Sequence, residues 1–238
     1  MSTYLQLCQD FQRECGISGT QISAVTSQTG EYNRIVNWVR HTYTEIQNKH
    51  PNWRWLRRRF YLETVADDGS YAYSDAFDLT TSLAISRFRR WWPLDELGCN
   101  NFTIYLQSAG VAGERYLPFI DWTYFKDLYL RGTQTSNQPA HVSIDPQNNI
   151  VVGPAPNDVF VVRGEYQRSA QILAADSDEP EMPANFHQLI VYDAMKKKYA
   201  PYESAPEVFD AGQINGRDLW RQLELDQLPA IPVGSPFA

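Results

Sequence analysis

The stretch Gln138–Pro183, QPAHVSIDPQNNIVVGPAPNDVFVVRGEYQRSAQILAADSDEPEMP, decides how this chain is read. Val142 and Ile144 alternate with polar residues, and the turn residues 145–149 follow. Ile150 to Val152 form a second apolar run, Gly153-Pro-Ala-Pro-Asn-Asp158 turns the chain again, and Val159 to Tyr166 form a third. Short apolar runs separated by Pro, Gly, Asn and Asp predict an antiparallel meander. An acidic, proline-flanked linker leads from it to a helical segment that begins near Ala184. None of these steps builds an active site.

Working outward, helical periodicity marks both flanks. Tyr4, Cys8, Phe11 and Cys15 share one face of a helix over residues 3–15, with Ser2 or Thr3 as cap and Gly16 at the end. Tyr32, Ile35, Val36, Val39, Tyr43 and Ile46 recur at helical spacing over 31–49, and Pro51 stops that helix. Residues 53–65 change to period two and read as a strand. Further strands are expected over 71–79, 83–92 and 103–107, with a short helix over Trp122–Leu130. Downstream, Asn185–Tyr199 reads as a helix stopped by Pro201, and a weaker helix spans 216–226. The expected class is α+β. Residues 1–51 and 184–226 form a helical body, 52–183 an inserted antiparallel β-rich domain, and 227–238 an extended tail whose three prolines and one glycine forbid regular helix.

Composition narrows the function classes. Of 238 residues, 21 are basic and 28 acidic, a net charge of −7, so the global field does not attract nucleic acid. The apolar runs fall well short of the ~20 residues of a membrane span. Three cysteines (Cys8, Cys15, Cys99) do not make a disulfide framework, and the expectation is a reducing cytosol. Neither GxGxxG nor GxxxxGK[ST] occurs, nor a GxSxG elbow. His41, His50, His141 and His187 are scattered, with no zinc-like Cys/His spacing. Asp67-Asp68 and Asp176–Glu181 lie in predicted turns or linkers, where solvated carboxylates are normal. Asp176-Ser-Asp178 lacks the rest of a calcium loop. No catalytic set and no cofactor or metal site is read.

Two arginine–aromatic clusters remain. Trp53–Phe60 (WRWLRRRF) holds Arg54, Arg57, Arg58 and Arg59, and Arg87–Trp92 (RFRRWW) adds Arg87, Arg89 and Arg90. Such clusters suit nucleic-acid contact, arginine on phosphate and rings for stacking. Alternation along strands equally allows the arginines to pair with acidic residues of this or a neighbouring subunit.

Several of these passages together carry a resemblance: LQLCQDFQRECGISG (5–19), GEYNRIVNWVRHTYTEIQ (30–47), WRWLRRRF (53–60), the turn-rich run around VSID and IVVGPAP, and EYQRSAQIL followed by DSDEPEMPANFHQLIVYDAMKKKYAPYE (176–203). From about Leu5 to Glu203 the chain resembles the head-to-tail adaptor (connector) proteins of tailed bacteriophages. The resemblance implies a non-enzymatic virion protein at the head–tail junction, made in the bacterial host cytoplasm. It implies a ring of identical subunits, usually twelve, beneath the portal protein. Such a ring extends the channel for double-stranded DNA and offers a platform to tail or nozzle proteins, with no membrane partner. Ile231, Val233 and Phe237 of the tail are then candidates for the portal or subunit interface, and the seven arginines for DNA or inter-subunit contact. A DNA-binding accessory protein is the alternative.

Overall fold

The structure, a computed structural model, describes residues 2–228. Its helices are α1 (Tyr4–Glu14), α2 (Gly30–Lys49), α3 (Trp122–Tyr129), α4 (His187–Ala194), α5 (Ala200–Glu203) and α6 (Pro206–Gln227). Its strands are β1 (Arg57–Glu63), β2 (Ser70–Tyr71), β3 (Phe77–Asp78), β4 (Arg90–Trp92), β5 (Thr103–Leu106), β6 (Arg115–Tyr116), β7 (His141–Ile144), β8 (Ile150–Gly153) and β9 (Phe160–Gln167). The class is α+β. The chain divides into two units, residues 57–169 and the two flanks 1–56 and 170–238. Residues 52–56 and 170–183, grouped with the β-rich insertion on sequence, thus fall in the helical unit.

The helical unit is built from amphipathic faces. Thr3 and Gln6 form a reciprocal capping box at the start of α1. Tyr4, Leu7, Cys8 and Phe11 of α1 and Ile35, Val39, Tyr43 and Ile46 of α2 share one core with Leu189, Ile190 and Ala194 of α4. The acidic stretch 174–181 is bound to this unit rather than loose: Tyr4 N–H donates to Asp178 O at 2.7 Å and Val25 N–H to Asp176 Oδ1 at 2.6 Å. The helix expected to be stopped by Pro201 is not: helical turns continue beyond α4 and through that proline. A π-helical turn over Met195–Tyr199 follows α4, with Ala200 N–H bonded to Met195 O, and α5 runs past Pro201 to Ser204, a left-handed cap. Proline in an ordinary α-turn lacks a donor and clashes with the carbonyl four residues back, and the wider π register before it eases the clash.

α6 is also longer than read, beginning at Pro206 instead of 216. The misleading residues are Gly212 and Gly216, which depress helix propensity yet are both buried. A Cβ on Gly212 would lie 2.7 Å from the Tyr192 carbonyl oxygen of α4. Glycine is what lets the two helices close.

The β unit has two sheets. One runs β3-β1-β9-β5-β6, with β4 also on β9, and the other runs β2-β8-β7. This corrects the expected meander: β7 and β8 pair, but β9 belongs to the other sheet. Pro154 and Pro156 lack the N–H that a continued ladder needs, so the chain leaves β8 and crosses. β9 is the spine. β1 covers one edge from Arg57↔Gln167 to Glu63↔Val161, while β4 and β5 share the other. Gly164 lies between their registers, and a Cβ there would lie 2.3 Å from the Phe102 ring. Phe60, Leu62, Trp91, Ile104 and Val162 of the larger sheet share a core with Val142, Ile150 and Val152 of the smaller. The strand expected over 53–65 begins only at Arg57, because Arg54–Leu56 is a 3-10 turn that buries Trp55 and Leu56. The strands expected over 71–79 and 83–92 shorten to β2, β3 and β4, the first two separated by a 3-10 turn at Tyr73–Asp75.

Candidate functional site

The arginine clusters are sorted by strand register. Arg57 and Arg59 alternate with Arg58, so the triplet points outward, inward and outward on β1. On the outer face Arg57 pairs across to Gln167, which pairs on to Arg90, and Arg59 to Glu165, which pairs on to Trp92. The Trp92 ring is covered by two guanidinium groups, Arg57 at 4.2 Å and Arg90 at 4.3 Å. Arg57 also meets Glu96 at 3.1 Å and Glu165 at 3.8 Å. Further along, Arg163 lies 4.9 Å over Tyr105 and 3.7 Å from Glu114. Burial, with Arg89 and Arg57 nearby, pulls the Arg90 pKa down from its ordinary value. This is a lattice of cation–π and ion-pair contacts laid over the sheet.

Arg58 turns to the other face, toward Asp78 and Tyr166. Asp78 Oδ1 accepts from Thr80 and Thr81 N–H at 2.8 and 3.0 Å, and Oδ2 from the Tyr166 hydroxyl at 3.0 Å. Burial pushes the Asp78 carboxyl up, but the two N–H groups, Tyr166 and Arg58 outweigh it and leave it low. Arg87 donates to Ser169 O at 2.6 Å. Arg54 is exposed on the 3-10 turn of the helical unit. The structure therefore gathers Arg57, Arg59 and Arg90 on one sheet face and sends Arg54, Arg58 and Arg87 elsewhere. Arg89 is half-buried, and its N–H donates to Gln167 O. Ile231, Val233 and Phe237 lie outside the described residues.

Two clefts were missed on sequence because distant segments make them. In the helical unit, Lys49, Lys196, Lys197 and Arg217 surround Trp220 in a cleft of about 390 Å³. Lys49 Nζ sits 3.7 Å over the Trp220 ring and 2.9 Å from Glu224. Buried Asp193 holds Lys197 at 2.5 Å and Lys196 at 3.3 Å. In the β unit, Trp122, Phe125 and Tyr129 of α3 line a cleft of about 380 Å³ against Val151, Val152, Pro154 and Ala155. The Tyr129 ring lies over Gly153, where a Cβ would come within 2.4 Å of it, and its hydroxyl meets His141 Nδ1 at 2.6 Å.

Residues 2–231 match the family described as SU10 adaptor protein. The chain belongs to that family. No curated protein matches it at a significant level. Membership gives this adaptor a structural role in a phage and speaks for a non-enzymatic function. Several of the remaining chemistry-bearing residues have structural partners or are buried. In the adaptor, His187 is buried, accepting from Ser2 N–H at Nδ1 and donating from Nε2 to Met182 O. His50 meets Glu224 at 3.0 Å. Cys8 and Cys15 are buried, and burial raises both thiols, that of Cys15 to about 12. Asp178 Oδ2 accepts from Ala174 and Ala175 N–H at 2.7 and 2.8 Å, as a turn-closing carboxylate does. Among the described residues no three His, Cys, Asp or Glu side chains cluster to hold a metal, and no helix is long and apolar enough to cross a membrane.

Proposed function

We propose that this protein is the head-to-tail adaptor of a tailed phage, assembling as a ring, of about twelve copies, beneath the portal protein. In this reading the ring extends the channel through which double-stranded DNA passes and offers a platform to tail or nozzle proteins. The observation that carries it is the family match over residues 2–231. Two features support it. The helical unit exposes Ile172, Ile214 and Leu225, and the β unit exposes Leu83, Leu97 and Tyr116, apolar area suited to contacts between copies. The net charge of −7 lets DNA pass without strong retention.

The alternative, a DNA-binding accessory protein, needs arginines free to reach phosphate. Arg57 is engaged with Glu96, Glu165 and Trp92, which favours the adaptor reading. Ile231, Val233 and Phe237 are proposed to contact the portal or an adjacent subunit. The test is electron microscopy of the protein with its cognate portal, beside the protein alone and a chain lacking residues 229–238. The expected result is a discrete ring stacked on the portal, lost in the shortened chain. No association of the full chain with portal would sink the adaptor reading. Docking that survives the deletion would remove the tail from it.

A further inference from the structure

The α3 cleft has the chemistry of a groove for an extended, proline-bearing peptide. Trp122, Phe125 and Tyr129 stand at i, i+3 and i+7, one face of a helix. Along the axis they span ~10.5 Å. The Trp122 and Phe125 rings are nearly parallel, 16° apart with centroids at 6.0 Å. Tyr129 is held in place by its hydroxyl contact to His141. The opposite wall has an apolar part, Val151, Val152, Pro154 and Ala155, beside the polar Asp68, Ser70, Gln134 and Asp145. Trp122 is only half-buried, and its indole N–H has no acceptor among the described residues. Exposed Leu130 stands at the rim, at 59% exposure. Aromatic grooves of this kind bind the polyproline II conformation, ring against ring, with an indole N–H donating to a peptide carbonyl.

One segment of this chain has the matching pattern. After α6 the sequence reads Pro229-Ala-Ile-Pro232-Val-Gly-Ser-Pro236-Phe-Ala238, with no charged side chain. Pro229 and Pro232 are three residues apart, so in polyproline II they fall on one face, ~9.3 Å apart. That distance is close to the ~10.5 Å from Trp122 to Tyr129 along α3, and proline adopts the conformation with little entropy left to lose. We propose that the α3 groove takes the segment 229–232, with its neighbours to Phe237, from a second copy of this chain. The second-copy clause rests on the reading that copies of the adaptor assemble; the recognition of the peptide by the groove does not.

The test separates the two. The receptor is the full-length chain with Pro229→Ala and Pro232→Ala, whose own segment competes for the grooves at least tenfold more weakly. A synthetic peptide of residues 228–238 is titrated into it, read by tryptophan fluorescence and calorimetry. Saturable binding is expected, weakened at least tenfold by the same two Pro→Ala changes in the peptide. Leu130→Glu and Trp122→Ala in the receptor should each weaken it as much, both at positions exposed enough to leave the fold intact. No saturable binding, or binding indifferent to all three changes, overturns the proposal. For the second copy, Ser235→Cys and Leu130→Cys are placed in separate full-length chains, each with Cys99→Ser, and mixed under mild oxidation. A disulfide between the two chains is expected. If instead only a chain carrying both cysteines closes, and does so internally, the occupant is the chain's own segment and the second-copy claim falls. A ring on the portal without peptide binding would overturn this proposal alone, and peptide binding without a ring would overturn the adaptor-ring reading and the second-copy clause while leaving the peptide recognition standing.

Discussion

At the scale of the residue, the buried polar groups are the most informative. His187 uses both ring nitrogens in its neutral form, Nδ1 accepting and Nε2–H donating. Burial lowers its pKa below the ordinary ~6.5, although the hydrogen bond to Met182 opposes the shift. The unfolded chain therefore binds a proton that the folded chain refuses. Its contribution is fully present above ~6.5 and is lost as pH falls from there toward the folded value, with a limiting slope of ~1.4 kcal/mol per pH unit. Urea midpoints measured between pH 7 and 5 should fall for the native chain. They should fall less for His187→Gln, which keeps a donor and an acceptor but no titration. Equal slopes would show that His187 does not titrate differently on folding. The sequence showed this histidine on a helix near aromatic residues. Its partners, 185 and five residues away, were not legible, because one comes from the chain's other end.

At the scale of the element, periodicity was legible wherever one face is buried and no glycine or proline intervenes. α1, α2 and α3 fall close to their expected bounds for that reason. α6 did not, because two residues that weaken a lone helix are required by its neighbour. This separates two substitutions that propensity treats alike. Alanine gains ~1 kcal/mol over glycine in a helix interior. At Gly216 the added Cβ would meet the Tyr192 Cβ at 3.4 Å, ordinary contact, so Gly216→Ala should be neutral or stabilising by up to ~1 kcal/mol. At Gly212 it would meet a backbone oxygen at 2.7 Å, which cannot swing aside. Overpacking there costs ~1–3 kcal/mol, so after the helix gain Gly212→Ala should be destabilising by up to ~2 kcal/mol net. Thermal melts of the two variants check this, and the same sign for both would mean that α4 and α6 are not closely packed. The sheet partition was illegible for a related reason. A strand's period shows which residues alternate, but not which of two sheets receives it.

At the scale of the whole molecule, the order of helices, strands and helices was legible, as was the α+β class. The boundaries were not, because the tryptophan-rich run 53–60 reads as one strand while its halves belong to different units. Each hydrophobic cluster draws on one unit alone. Tyr4, Val39, Trp53, Leu189 and Leu223 lie in the first, Phe60, Trp91, Val142 and Val162 in the second. In the β unit, entry and exit are adjacent strands, since Arg57 pairs with Gln167. Excision there opens no loop and strips no edge from the ladder between β1 and β9. Its length is that of an autonomous domain, and its core is complete without the flanks. Residues 57–169 expressed alone should therefore fold, giving a near-ultraviolet dichroism signal from Trp91, packed at 4.6 Å on Phe60, and one cooperative urea transition. A fragment with strand content but no near-ultraviolet signal and a drawn-out transition would mean that this core depends on the helical flanks. If the fragment folds, it also isolates the α3 groove. The peptide of residues 228–238 can then be tested on a receptor with no competing segment of its own.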